Sequence, residues 1–201
     1  MGFYAKYILP RVAHFVCSHK IIRQQREKVV PLATGRVLEI GIGSGLNLPF
    51  YDPQKVQHVW GLDPHAEMWN LANPRNFPFD VEFLQAPAER IPLDDGIADT
   101  VVVTYTLCTV VDALEALGEM RRILKPGGEL IFCEHGAAPE ESVRRWQDRL
   151  NPIWKKLAGG CNLNRQIPTL LERGGFKIQK MDTKYIKGAK FASFNYRGTA
   201  L

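Results

Sequence analysis

A short run rich in branched apolar residues, Val37-Leu38-Glu39-Ile40, leads directly into three alternating glycines, Gly41, Gly43 and Gly45. Such a run reads as a strand buried on both faces. Glycines at this turn take backbone angles closed to other residues and let the main chain approach a ligand closely. In open α/β sheets this turn lies at the carboxyl end of a strand, where ligands bind at the point of strand-order reversal. Further apolar runs at Val59–Leu62, Val81–Leu84, Thr100–Thr104 and Leu130–Cys133 alternate with helical patterns, and two last strands fall around Phe176–Met181 and Phe191–Thr199. The alternation predicts an α/β fold: a doubly wound, mostly parallel, seven-stranded sheet. The clearest helix runs from Asp112 to Leu124, with Asp112 as its cap and Glu115 in capping-box position. Lys125-Pro126-Gly127-Gly128 then turns the chain into the next strand.

The chain has 201 residues, which predicts one domain. Within it, residues 1–33 read as an N-terminal helical cap and 36–133 as the ligand-binding core. Residues 136–175 read as a helical insertion after the fifth strand, and 176–201 as the final strands. Apolar residues make up 45% and charged residues 23%, which excludes a disordered chain. A net charge of +5 permits an anionic partner without requiring one. No interleaving of lysine with aromatic residues marks a nucleic-acid groove, so no nucleic-acid partner is expected. Cys17, Cys108, Cys133 and Cys161 form no C-x-x-C pair and no zinc-finger spacing, so reduced thiols and no metal are expected. No uninterrupted apolar run reaches the roughly 18 residues of a membrane span, and no signal-peptide pattern opens the chain. These features predict a cytoplasmic protein. The segment Phe3–Lys28 interleaves aromatic and basic residues around Pro10, which breaks or kinks it. It fits a helical cap packed on the domain, a lid over the site, or a peripheral contact of residues 1–30 with the inner membrane face. In the insertion, Ser142–Leu157 reads as a helix bent or split by Pro152, with Trp146 and Trp154 as pocket wall or core.

The residues around the glycines select among ligands. A dinucleotide fingerprint needs its third glycine one position later, where Leu46 stands. Glu39, two residues before the loop, would repel a pyrophosphate and favour an ammonium group. Asn47 adds a polar group, and Pro49 suits a first helical turn. Asp63, followed by Pro64, ends the second strand, where a carboxylate accepts bonds from both ribose hydroxyls or caps the following helix.

Glu39, the three glycines and Asp63 together resemble the class I S-adenosylmethionine-dependent methyltransferases, over roughly Arg36 to Cys133. The resemblance implies S-adenosylmethionine as cofactor, with S-adenosylhomocysteine as product. It implies that Gly41, Gly43 and Gly45 contact the methionine moiety and that Asp63 holds the ribose. The run Gln85-Ala-Pro-Ala-Glu-Arg-Ile-Pro-Leu93 is similar to the family's stretch beside adenine. It gives Ala88 a backbone contact there; Pro87 replaces the usual acid, and Glu89 is the candidate substitute. Asp99, the run from Thr104 to Leu107 and the Leu124–Gly128 turn are similar to further family landmarks. Fold-level rivals are a dehydrogenase-type nucleotide domain and a cofactor-binding subunit without turnover.

On the acceptor side, Leu107-Cys108-Thr109-Val110, Glu134-His135-Gly136-Ala137-Ala138, Asn151–Trp154 and Gly160-Cys161-Asn162-Leu163 are similar to the animal methyltransferase-like proteins that S-methylate small alkyl thiols. That resemblance implies a small, fairly apolar thiol acceptor. His135 is the candidate catalytic residue, as base or thiolate anchor. Cys108, Glu134, Trp154, Cys161 and Asn162 are the candidate substrate residues. Each also fits a structural role: His135 bonded to Glu134 or backbone, and the cysteines as small buried apolar groups. Phospholipid and quinone methyltransferases share the glycine motif and are the alternative.

Overall fold

The computed structural model describes residues 4–72 and 77–201; Phe3, at the start of the aromatic-basic segment, lies outside them. Seven strands form one sheet: β1 (Gly35–Ile40), β2 (Val56–Leu62), β3 (Asp80–Leu84), β4 (Ala98–Thr104), β5 (Leu124–His135), β6 (Ile178–Tyr185) and β7 (Phe194–Ala200). The helices are α1 (Leu9–Ser18), α2 (Lys20–Val29), α3 (Ala66–Trp69), α4 (Ala113–Ile123), α5 (Glu141–Leu157) and α6 (Ile167–Arg173). Across the sheet the order is β3-β2-β1-β4-β5-β7-β6. The first five strands run parallel, and β7 is antiparallel to both neighbours. The order reverses between β1 and β4, which places the ligand crevice at their carboxyl ends.

Both faces of the central strands are covered, which is why they read as continuous apolar runs. Leu38, Ile40, Val101, Val103, Leu130 and Phe132 pack on one face with Leu117 and Met120 of α4 and Leu171 of α6. On the other face, Val37, Val59, Val102 and Ile131 pack against Val29, Val30, Leu48 and Tyr51. Glu39 lies between Leu38 and Ile40 in sequence, so the pleat turns it to this second face, toward α2.

Several details differ from the sequence expectation. Helix α5 runs unbroken through Pro152; the carbonyl that Pro152 leaves without a donor belongs to Asp148, which is exposed to solvent. Asp112 caps α4 by accepting from the N–H groups of Leu114 and Glu115, but its own N–H donates to Glu89 rather than to Glu115. The capping box is thus closed by an acid from another loop. Pro10 begins α1 after a π-helical turn, Tyr4–Ile8. Phe191 belongs to a 3₁₀ turn, Lys190–Ala192, before β7, where it meets Trp154 edge-on at 6.1 Å. Trp146 is 58% exposed under Arg149 and is neither pocket wall nor core. Among the described residues no helix is long and apolar enough to cross a membrane.

Phe132 sits fully buried in the middle of β5. Phe132→Ala is expected to cost about 3–5 kcal/mol, against about 0.5–2 kcal/mol for removing the Asp112 cap, as read from urea unfolding midpoints.

Candidate functional site

The glycine loop leaves β1 with Gly41, Gly43 and Gly45 all at positive φ. A Cβ on Gly41 would run into the Thr106 side chain, so this glycine is set by space as well as by backbone angle. Asp63, at the end of β2, holds the loop from the side. Its Oδ2 accepts from the Gly43 N–H at 3.0 Å and its Oδ1 from the His65 N–H at 2.8 Å. Each oxygen retains capacity for one further donor. Burial raises the Asp63 pKa against the pull of these two N–H groups.

Glu39 is buried beneath the loop. The Tyr51 hydroxyl donates to its Oε2 at 2.7 Å, and the Asn47 amide donates to its Oε1 and to Thr104 Oγ1, each at 3.0 Å. Burial lifts the Glu39 pKa to about 7, against Tyr51, Arg26 and Asn47, which favour the carboxylate. Asn47 Oδ1 is buried with no partner among the described residues. An acidic group and a vacant carbonyl oxygen side by side suit a ligand that brings several N–H donors on a positive charge.

The turn after β4 forms the opposite wall. Tyr105 is the one non-glycine residue at positive φ among the described residues, +54°. Such a conformation persists where its surroundings hold it. Buried Glu134 accepts from the N–H groups of Thr106 and Leu107 at 2.7 and 3.1 Å, and the Tyr105 hydroxyl donates to Asn195 at 2.7 Å. The turn carries Cys108 toward the insertion. There, Asn162 donates to the Cys108 carbonyl through both its backbone N–H, at 2.8 Å, and its side-chain amide, at 2.9 Å. His135, next to Glu134 at the end of β5, places Nε2 3.2 Å from Cys161 Sγ. Cys108, His135 and Cys161 each bring a donor atom to one place, all within 4.8 Å of one another. The metal-binding potential of this group is invisible in the sequence, because its members come from three distant segments.

The electrostatics follow from that packing. Cys108, His135 and the Trp154 indole surround the Cys161 sulfur and lower its pKa to about 4 despite burial. Cys108, beside that sulfur and buried, is raised well above an ordinary thiol. Burial opposes a charge on His135, yet the Cys161 sulfur outweighs it and leaves the imidazole pKa raised. Burial lifts Glu134 to about 7 against its two backbone donors.

The structure thus gathers Glu39, Asn47, Thr104 and Asp63 around the glycine loop, and Cys108, Glu134, His135, Trp154, Cys161 and Asn162 across from it. Ala88 is buried against the core, and Pro64 is exposed with its carbonyl accepting from Gln85. One Glu89 oxygen is taken by the N–H groups of Val111 and Asp112. Three supporting residues had no signal of their own. Tyr51 and Arg26 act on Glu39 from outside the motif. Gln147 is fully buried in α5, accepts from Ala138 N–H, and donates to the carbonyls of Gly136, Leu163 and Phe191. The N-terminal segment adds a bridge: His14 of α1 pairs with Ser44 of the glycine loop at 2.6 Å, and the hydroxyl of Tyr4, in the π-helical turn before α1, donates to the Leu157 carbonyl in the insertion at 2.8 Å.

Residues 38–132 match the methyltransferase-domain family. A demethylmenaquinone methyltransferase of Clavibacter sepedonicus is 34% identical over 173 residues, 84% of this chain and 70% of that protein. The chain belongs to the class I S-adenosylmethionine-dependent methyltransferases. Among its methyltransferase relatives, the human thiol S-methyltransferase TMT1B is 38% identical over 157 residues, 75% of this chain and 64% of that protein. The chain spans 61–64% of the length of the thiol S-methyltransferases it matches. A SAM-dependent methyltransferase of Thermotoga maritima shares the fold, with a TM-score of 0.67 at 22% identity over 98% of this chain and 96% of that one. The seven-stranded methyltransferase sheet and its donor, S-adenosylmethionine, are those the glycine motif pointed to.

Gln147 ties α5 to the segment just after β5, to the Cys161 loop and to Phe191 of the turn before β7. Gln147→Leu keeps the volume and orphans these groups. It is expected to lower stability by about 1–3 kcal/mol and to raise the KM for the acceptor while cofactor affinity stays unchanged. Urea unfolding and steady-state kinetics check both.

Proposed function

We propose that the protein transfers a methyl group from S-adenosylmethionine to a small, fairly apolar thiol. The observation that carries this reading is the convergence of Cys108, Glu134, His135, Trp154, Cys161 and Asn162 opposite the glycine loop. These residues lie on the segments whose resemblance runs to thiol S-methyltransferases. S-adenosylmethionine supplies an electrophilic methyl on a sulfonium. Glu39 and Asn47 Oδ1 receive its ammonium group, Gly41, Gly43 and Gly45 line the methionine moiety, and Asp63 takes the ribose hydroxyls. Ala88, with Pro64 and Glu89 nearby in sequence to the same strand ends, serves the adenine side, and Thr104 keeps Asn47 in place. Methyl transfer is an in-line displacement, so holding the two sulfurs close supplies most of what the protein must add, about 7–11 kcal/mol. His135 and Cys161 stand where the acceptor sulfur is held and its proton removed.

A quinone acceptor is the second reading, favoured by the broad coverage of the demethylmenaquinone methyltransferase. Purified protein is offered the cofactor with alkyl thiols, quinones and phospholipids in turn, and S-adenosylhomocysteine formation is followed. Thiols alone should turn over. Product with quinones or phospholipids only, or with none of the three, overturns the thiol reading.

The cofactor assignment has a pH signature. Glu39 faces Tyr51 and Asn47 behind the loop, Arg26 from α2 and Asp63 from the end of β2. Without ligand its carboxyl titrates at about 7. An ammonium group favours the carboxylate, so binding releases a proton below that pH, and affinity rises as pH climbs toward 7 and then flattens. Glu39→Gln should weaken binding by about 1.5–3 kcal/mol and abolish the proton release. Calorimetry in buffers of different ionisation enthalpy measures both. Unchanged affinity and proton release in the variant would remove Glu39 from the ammonium site.

We also propose that residues 1–30 close over the pocket and touch anionic membrane surfaces reversibly. The π-helical turn and α1 together reach from the insertion to the glycine loop, and α1 leaves Val12, Phe15 and Val16 exposed, Phe15 by 74%, with exposed Arg11 in α1 and Lys20 at the start of α2. Binding to anionic liposomes should weaken as salt shortens screening to about 8 Å at physiological strength. Deleting residues 1–18, which spares buried Val29 and Val30, should abolish that binding and slow turnover. Full activity in the truncated protein and no liposome binding by the intact one would end the idea.

A further inference from the structure

The donor set on the acceptor side is that of a thiophilic cation. We propose that Cys108, His135 and Cys161 form a three-ligand site for a divalent metal, zinc by its chemistry, whose fourth position takes the sulfur of the acceptor. The fourth-position part rests on the thiol reading; the metal site does not.

Two sulfurs and one imidazole suit zinc over the oxygen-seeking cations. Zinc bonds of about 2.3 Å to sulfur and 2.0–2.1 Å to nitrogen, in a tetrahedron, set ligand-to-ligand separations of about 3.5–3.8 Å. Here Cys161 Sγ and the His135 ring stand 3.2 Å apart, and all three donor atoms lie within 4.8 Å. Rotation of the side chains closes the difference. The supports are already fixed. His135 ends β5 in register with Asn195 of β7, Glu134 holds the turn that carries Cys108, and Asn162 pins the Cys161 loop to the Cys108 carbonyl twice. Three protein ligands with one position open is the arrangement of catalytic rather than structural zinc.

The chemistry balances without any oxidant. Metal binding releases to solvent the Cys108 thiol proton and the proton that His135 and Cys161 hold between them, and an acceptor thiol gives its own proton to solvent as it takes the fourth position. A lone pair of the acceptor sulfur then forms a bond to the methyl carbon. The bond from that carbon to the sulfonium breaks, with its electron pair kept by the departing sulfur. The product thioether is neutral, binds the metal more weakly than a thiolate, and leaves.

The test uses the full chain, stripped with a chelator under reducing conditions and then titrated with Zn²⁺ or Co²⁺. One equivalent should bind, and Co²⁺ should show thiolate charge-transfer and tetrahedral ligand-field bands. Cys161→Ser and Cys108→Ser should each lower metal affinity by more than about 100-fold, beyond the 10–100-fold effect of a merely supporting residue. Cys17→Ser should leave it unchanged, and retained cofactor binding shows that each variant is folded. No bound metal with Cys108 and Cys161 both present as free thiols, a Cys108–Cys161 disulfide in place of a metal, or undiminished binding in Cys161→Ser overturns the site. An alkyl thiol should then shift the Co²⁺ bands. Metal binding with no such shift overturns the fourth-position role and leaves the site. Full thiol methylation by the metal-free protein overturns the metal's part in turnover while the thiol reading stands.

Discussion

A fully buried carboxyl group organises the working end of the sheet. Glu134 is fully buried, and its Oε1 takes the two N–H groups that the turn after β4 would otherwise leave without partners. That pair of bonds holds Tyr105 in a left-handed conformation, and the position of Cys108 follows from it. Because Glu134 sits on β5, the same residue sets the turn after β4 relative to His135, its neighbour in sequence. The relation between the two central strands is thereby written into the chemistry of the site.

The other buried acid works differently. Glu39 is surrounded by donors that favour its charge without neutralising it, and the desolvation of the site keeps its pKa near 7. The two acids stand on opposite sides of the switch point. One organises protein backbone, while the other is left with capacity for a ligand.

Much of the fold could be read from the sequence because parallel strands covered on both faces must be apolar throughout, and their glycine turns must be glycine. The run from Val37 to Gly45 is legible for that reason. The edge was less so. Phe191 and Phe176 look like strand residues, yet they pack as plugs before β7 and β6, since an apolar residue is needed there whether or not the backbone is extended. The candidates on the glycine loop could be nominated because the motif occupies a few neighbouring positions. Cys108, His135 and Cys161 were each nominated through the family resemblance, but their meeting at one place was not legible, because no local spacing encodes a convergence of three loops. Nor could the sequence show that Trp146 faces solvent while Gln147, one residue later, is buried: α5 covers the domain with only a narrow stripe.

Gln147 has a consequence for which sequences this fold tolerates. Its side chain must present an acceptor at one tip and two hydrogens at the other, at one length, to a backbone N–H and three carbonyls. Glutamate offers a second acceptor where carbonyls already crowd, asparagine is one methylene short, and methionine fills the volume with nothing to share. A position that touches neither donor nor acceptor of the methyl group is therefore among the least interchangeable in the chain, and drift elsewhere in α5 must proceed around it.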